Sequence, residues 1–221
     1  MQTILDWSEV WALLIPLGVV LSGKRQSPAN RPVIAYVIVA LITNTACNII
    51  WKADLLLYNS IPYNGFLYNL HSMVRFLMFD LFFGKLNQSY TSLLSWVVRS
   101  GFCLFILLNF GFYEKFYDDK SPFSSVLLSL ESALLLILCL QYYFYKFTNE
   151  EDNSITQPDF WIVTGLSIYV TLNFFIFLLY DTISKYHIQF AIQLWNFHNL
   201  SYILFNLLLA KAFYESQLHR Y

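Results

Sequence analysis

Five side chains sit where an apolar run has no reason to hold them: His71, Arg75 and Asp80 in one run, Glu131 in a second and His198 in a third. An ionised group near the centre of a bilayer costs at least about 2.5–3.5 kcal/mol, so it turns inward, finds a partner and marks a candidate site. Spacing then says which of them converge. His71 and Arg75 are four residues apart and share one helical face. Asp80 lies roughly 140° around the wheel from Arg75 and points elsewhere. At about 1.5 Å per residue, His71 falls roughly 9 Å, Arg75 roughly 15 Å, Glu131 roughly 12 Å and His198 roughly 16 Å below the starts of their segments. Glu131 is therefore the carboxylate at the depth of Arg75. The chemistry open to this set is recognition of a small charged or polar molecule, or acid–base transfer by His71, His198 and Glu131.

The last apolar segment adds walls to such a site. His198, Tyr202, Asn206, Asn199 and Asn196 fill an arc of roughly 160° on a helical wheel, and Phe190, Leu194, Phe197, Leu204 and Leu208 fill the opposite one. That pattern predicts a bundle face and a lipid face on one helix. Asn44, Asn48 and Asn173 lie at similar depth in other segments. The predicted cavity comprises His71, Arg75, Glu131, Asn173, Asn196, His198, Asn199 and Tyr202. Two structural readings stand beside it: polar side chains within membrane helices serve as interhelical hydrogen-bond glue, and a buried Arg–Glu pair is by itself weak evidence of stability or of function. Asp6 and Glu9 fall near the end of the first segment, where water is close. Arg99, about a turn and a half into the fourth from its cytoplasmic side, reads as a snorkelling side chain.

The elements that must position these residues follow from composition. Of 221 residues, 57% are hydrophobic and only 12% charged, with a net charge of -1, against about 25% charged in soluble domains. This excludes a water-soluble domain and a disordered tail, and leaves no basic field for nucleic acid. Seven stretches approach the ~20 apolar residues that a membrane helix needs: Ile4–Ser22, Pro32–Trp51, Gly65–Gly84, Leu93–Phe112, Phe123–Tyr145, Pro158–Tyr180 and His187–Phe213. The runs are continuous and lack the short alternating segments of a barrel. Pro28, Pro62 and Pro122 mark loops, and Pro158 a helix start. The first stretch is the weakest, carries Pro16, and has no basic leader of a cleavable signal. The expectation is an all-α membrane protein: one domain over residues 1–221, a seven-transmembrane-helix bundle.

Orientation rests on basic loop residues. Seven (Lys24, Arg25, Arg31, Lys85, Lys146, Lys211, Arg220) fall on one side and four (Lys52, Lys115, Lys120, Lys185) on the other. The bias predicts an N-terminus outside and a C-terminus in the cytoplasm. Asp118, Asp119, Glu150, Glu151 and Asp152 read as solvated loop charge. Trp51, Tyr58, Tyr63, Tyr142, Tyr143, Tyr145, Trp161, Tyr180 and Tyr186 form the aromatic belt of segment ends.

Retinal needs a lysine in mid-segment of the last helix, and Lys211 lies at its end. A zinc site needs three convergent ligands; His187 and His198 are about 16 Å apart along their axis, and His219 is in the tail. No Walker, GxSxG, HExxH or GxGxxG motif is present. Cys47, Cys103 and Cys139 read as small hydrophobes. No cofactor and no metal is expected.

The stretch Pro158-Asp159-Phe160-Trp161-Ile162-Val163-Thr164-Gly165 with Tyr169 and Asn173, and the run Trp195-Asn196-Phe197-His198-Asn199-Leu200 with Asn206 and Ala212-Phe213, resemble uncharacterised seven-helix inner-membrane proteins of Bacteroidota. The resemblance spans the chain in hydropathy and is motif-level in the last two helices. It implies a sensory or accessory role, because such proteins are often encoded near sensory kinases; it carries no catalytic residues. The sequence expectation is a ligand-binding, receptor-like protein of the bacterial inner membrane that signals through a cytoplasmic or membrane partner protein. Its contacts are the lipid bilayer and a small or lipidic ligand, with Glu131 neutralising Arg75 until an anionic ligand displaces it. The alternatives are a membrane-embedded lipid hydrolase or transferase, a structural subunit of a membrane complex, and a small transporter.

Overall fold

The computed structural model describes residues 5–23, 26–56, 65–86, 91–116, 123–148 and 157–218. Ile4, the orientation charges Lys24, Arg25, Lys120 and Arg220, the loop acids from Asp118 to Asp152, and Tyr58, Pro62, Tyr63, Pro122 and His219 lie outside them. The described residues form seven α-helices: α1 Ser8–Ser22, α2 Arg31–Leu56, α3 Gly65–Lys85, α4 Thr91–Leu108, α5 Ser125–Thr148, α6 Pro158–Tyr186 and α7 Ile188–Leu218. A 3-10 turn, Pro28–Asn30, leads into α2, and a π-turn, Asn109–Tyr113, ends α4. No strand occurs among the described residues. Four of the helical stretches are long and apolar enough to cross a membrane: Pro28–Lys52, Trp96–Tyr113, Ser125–Thr148 and Pro158–Tyr186.

Local sequence accounts for several boundaries. Ser27 Oγ accepts from the Ala29 N–H, and Pro28 occupies the first position of its turn, where a missing N–H costs nothing. Pro158 does the same for α6, with Asp159 in its first turn against the helix dipole. His187 alone separates α6 from α7. Several helices run past their predicted ends: α6 reaches Tyr186 and α7 reaches Leu218, because amphipathic ends continue the turn after the apolar run stops.

Cross-helix contacts give the topology. Glu9 meets Asn44, Tyr36 meets Phe79, Phe76 meets Phe102, Tyr143 meets Thr164, and Asn173 meets Ser201. A second contact for each pair (Trp7 on Lys52, Pro28 on Lys85, Asp80 on Arg99, Lys146 on Asp159, Gly165 on Phe205) advances in the opposite sense along the partner, so these neighbours are antiparallel. α3 runs parallel to α5, with Asn69 on Ser124 and Arg75 on Glu131. α7 runs parallel to α1, with Asn199 on Leu5 and Gln217 on Val19.

The packing closes into a ring. α1 packs on α2, α2 on α3, α3 on α5, α5 on α6, α6 on α7, and α7 back on α1, while α4 lies outside against α3 and α5. Inward positions repeat at helical spacing, as in Phe76, Phe79 and Phe83 of α3 or Tyr202, Phe205, Leu209 and Phe213 of α7. Tyr169 stacks on Phe205 at 5.2 Å. Gly165 lets α6 and α7 approach closely: a Cβ there would stand 3.0 Å from Leu208 Cβ and 3.2 Å from Phe205 Cδ2.

Candidate functional site

Six helices of the ring each send polar side chains to one level of its interior, below the end that holds the start of α1. α3 supplies His71, Ser72 and Arg75 from consecutive turns of its buried face. α5 contributes Glu131, and the guanidinium and carboxylate meet in parallel: Arg75 Nε donates to Glu131 Oε1 at 2.5 Å and Nη2 to Oε2 at 2.6 Å. Ser72 Oγ donates to the same Oε2 at 2.5 Å. The remaining terminal nitrogen, Nη1, donates to the Tyr169 hydroxyl at 2.8 Å. Arg75 is 3% exposed and Glu131 0%. This clamp ties α3 to α5 and α6, and each charge is met by a directed, charge-assisted partner.

A second set lies beside it. Asn173 Nδ2 donates to the Tyr169 carbonyl at 2.7 Å and to Ser201 Oγ at 3.0 Å, which aims Oδ1 at His198 Nδ1 in a short hydrogen bond. His198 Nε2 lies 3.4 Å from Glu9 Oε1. Asn44 Nδ2 donates to the Glu9 carbonyl at 2.9 Å and to the Tyr202 hydroxyl at 3.3 Å. Rings enclose His198: Trp195 at 4.8 Å, Phe177 at 5.5 Å and Tyr169 at 5.9 Å between centroids.

Between the two sets is a void of about 20 Å³, room for a single water molecule. Its lining includes Glu9, Asn44, His71, Arg75, His198 and Tyr202, with Tyr68 and Trp195 on the side of the α3 and α7 starts. His71 is buried and its Nδ1 has no hydrogen-bond partner among the described residues. An unpaired buried nitrogen costs about 1–3 kcal/mol, and this one belongs to a residue that lines the void.

Of the sequence-predicted residues, the structure brings together His71, Arg75, Glu131, Asn173, His198 and Tyr202. Asn199 is buried but turns to α1, donating to the Leu5 carbonyl at 3.2 Å, and Asn196 is half-buried and outside the lining. Asn48 and Asn206 donate to carbonyls one turn back in their own helices. Glu9, read from sequence as solvated, is 6% exposed and faces His198. Its position near a helix start hid it; the signal was Ser8-Glu9 followed by Ala12, Leu13 and Pro16, a buried face at helical spacing. Tyr68, Tyr169 and Trp195 were hidden by their resemblance to belt or core aromatics.

Arg99 is also paired. Its Nε and Nη2 each lie 2.5 Å from Asp80 Oδ2, and this pair anchors the outlying α4 to α3 away from the void. Among the described residues, no three His, Cys, Asp or Glu side chains converge as metal ligands. No family model, curated protein or solved structure matches this chain.

Proposed function

We propose that the chain is a seven-span, receptor-like protein of the bacterial inner membrane, N-terminus outside and C-terminus in the cytoplasm. It binds a small polar or lipidic ligand beneath its outer end and acts through a partner protein. The observation that carries this reading is the unpartnered His71 Nδ1 on a polar void to which Glu9, Arg75 and His198 also contribute.

The spans beyond the four apolar ones are supported by what each helix exposes. α3 presents Leu70, Leu77 and Leu81 outward and α7 presents Phe197, Leu200, Leu204 and Leu207, while Arg75 of α3 and His198, Asn199 and Asn206 of α7 are buried. Such helices suit lipid outside and polar partners inside. The basic-residue bias supports the orientation. The partner is proposed on the resemblance of the α6 and α7 motifs to proteins often encoded near sensory kinases; Gly165 of those motifs lies at the α6–α7 contact, and Tyr169, Asn173, Trp195 and His198 belong to the site.

The geometry favours one side of the void for the ligand. Glu131 accepts three hydrogen bonds from Ser72 and Arg75, so displacing it breaks all three at once. The ligand's contacts lie instead on Glu9, His71 and His198. A molecule larger than water enters as α1 moves aside. α1 is the shortest of the seven helices, contains Pro16, and has no side-chain cap at its start.

Native mass spectrometry of protein extracted gently from its own membrane tests this. The expected result is a retained small molecule, lost in His71→Leu. Protein that emerges empty, or with only a stoichiometric metal ion, overturns it.

A further inference from the structure

The hydrogen-bond logic around His198 counts protons. Ser201 Oγ donates to the His198 carbonyl at 2.8 Å, so toward Asn173 Nδ2 it is an acceptor. Nδ2 therefore faces two acceptors, Ser201 Oγ and the Tyr169 carbonyl, and the Asn173 amide is fixed with Oδ1 on the imidazole. An amide oxygen cannot donate, so His198 Nδ1 bears a hydrogen. In a neutral imidazole the other nitrogen, Nε2, is then a bare acceptor, and it lies 3.4 Å from the Glu9 carboxyl. Two acceptors face one another in a buried place, unless a proton sits on one of them.

We propose that Glu9 and His198 jointly bind one exchangeable proton, and that this proton latches α1 to α7 over the void. Glu9 is paired as carboxylate with imidazolium, or as carboxylic acid with imidazole; the pair holds the same number of protons either way. When the proton leaves to water, two lone pairs oppose each other across the α1–α7 contact. α1 is then held at this end by Asn44 on the Glu9 carbonyl and Asn199 on the Leu5 carbonyl. The charged and titratable groups around the pair are His71, Arg75 and Tyr68 of α3, Tyr169 of α6, Tyr202 of α7, and Cys47 of α2, which interacts electrostatically with Glu9. Arg75 is already neutralised by Glu131 of α5. The pair is thus the element of the site with a proton to exchange between two helices. The ligand recognised here is the proton itself; the consequence for a second ligand rests on the function proposed above.

The test uses the full chain in lipid nanodiscs. With ¹⁵N-labelled histidine, NMR reads each ring nitrogen of His198, assigned by loss of its signals in His198→Gln or by elimination with His71→Gln and His187→Gln. Infrared difference spectra against Glu9→Gln read the carboxyl. The expected result is two protonated ring nitrogens beside a carboxylate, or a protonated Glu9 beside an Nδ1–H imidazole. A neutral imidazole beside an ionised Glu9, water-bridged or not, overturns the proposal.

The latch has its own readout, backbone hydrogen exchange along α1 followed against pH, with the intrinsic pH dependence of exchange divided out. Relative to Glu9→Gln, exchange along α1 rises about tenfold on releasing the proton, equivalent to about 1.4 kcal/mol of opening. Equal pH dependence in both proteins overturns the latch. A retained ligand without the proton sinks only this inference; the proton without a ligand sinks only the proposed function.

Discussion

At the scale of residues, the Arg75–Glu131 clamp and the His198 set differ in how completely they are satisfied. Every directional bond of Glu131 in the clamp comes from a buried donor, so removing one partner strands a buried charge. Arg75→Leu is expected to lower unfolding stability in detergent by about 3–5 kcal/mol, and the Arg75→Leu/Glu131→Leu double variant by less than the sum of the two singles. Chemical denaturation of the four proteins checks this, and strict additivity would show that the groups do not act as a pair. Tyr169→Phe removes the acceptor of Arg75 Nη1 while keeping the ring on Phe205. Its expected cost is about 1–3 kcal/mol, measured in the same way.

Helices add constraints that no single residue carries. α6 and α7 approach through Gly165, so Gly165→Ala pushes a methyl into Leu208 and Phe205. Overpacking of this kind costs about 1–3 kcal/mol. The matched control is Gly101→Ala on α4, where a Cβ meets open space and the substitution is neutral or slightly stabilising. Equal melting shifts for the two would contradict the close approach. α4 packs outside the ring and is tied to α3 by Arg99 on Asp80, with Phe102 on Phe76 at 4.1 Å. Arg99→Leu is therefore expected to raise hydrogen exchange along α4 while α6 and α7 keep their protection. Exchange rising uniformly across all helices would mean that α4 belongs to the cooperative core.

The whole molecule is a closed ring of six helices with a seventh on its flank, and its surface separates what lipid can cover from what it cannot. Exposed side chains on the ring are mostly Leu, Ile and Phe, whereas the interior level of the site is polar. Seven spans, as proposed, put the two termini on opposite sides of the membrane. A fluorescent protein fused to the C-terminus is expected to fluoresce and an alkaline phosphatase fused there to be inactive, as a cytoplasmic end requires. Active phosphatase at the C-terminus would reverse the assigned orientation, and a tag protected from the same side at both ends would reduce the number of spans to an even one.

Much of this was legible in the residues themselves. Composition dictated helices with lipid-like surfaces, because 57% hydrophobic residues in long runs leave no other way to satisfy the backbone. Helical spacing put His71 with Arg75, and depth put Glu131 with Arg75, since rise and angle per residue are local properties of one helix. The order of helices around the ring is not local. It decided that α1 closes against α7, which turned Glu9 from a solvated acid into the partner of His198. It also turned Asn199 to the α1 backbone and left Asn196 at the margin, although both share the polar arc with His198. Arg99 found Asp80 only because α4 lies on the outer side of α3. Sequence by itself determined that His71, Arg75, Glu131 and His198 turn inward, because spacing within one helix is local; the tertiary structure alone decided that Glu9 joins them and which of them meet, because neighbours in the ring are set by packing between helices far apart in the chain.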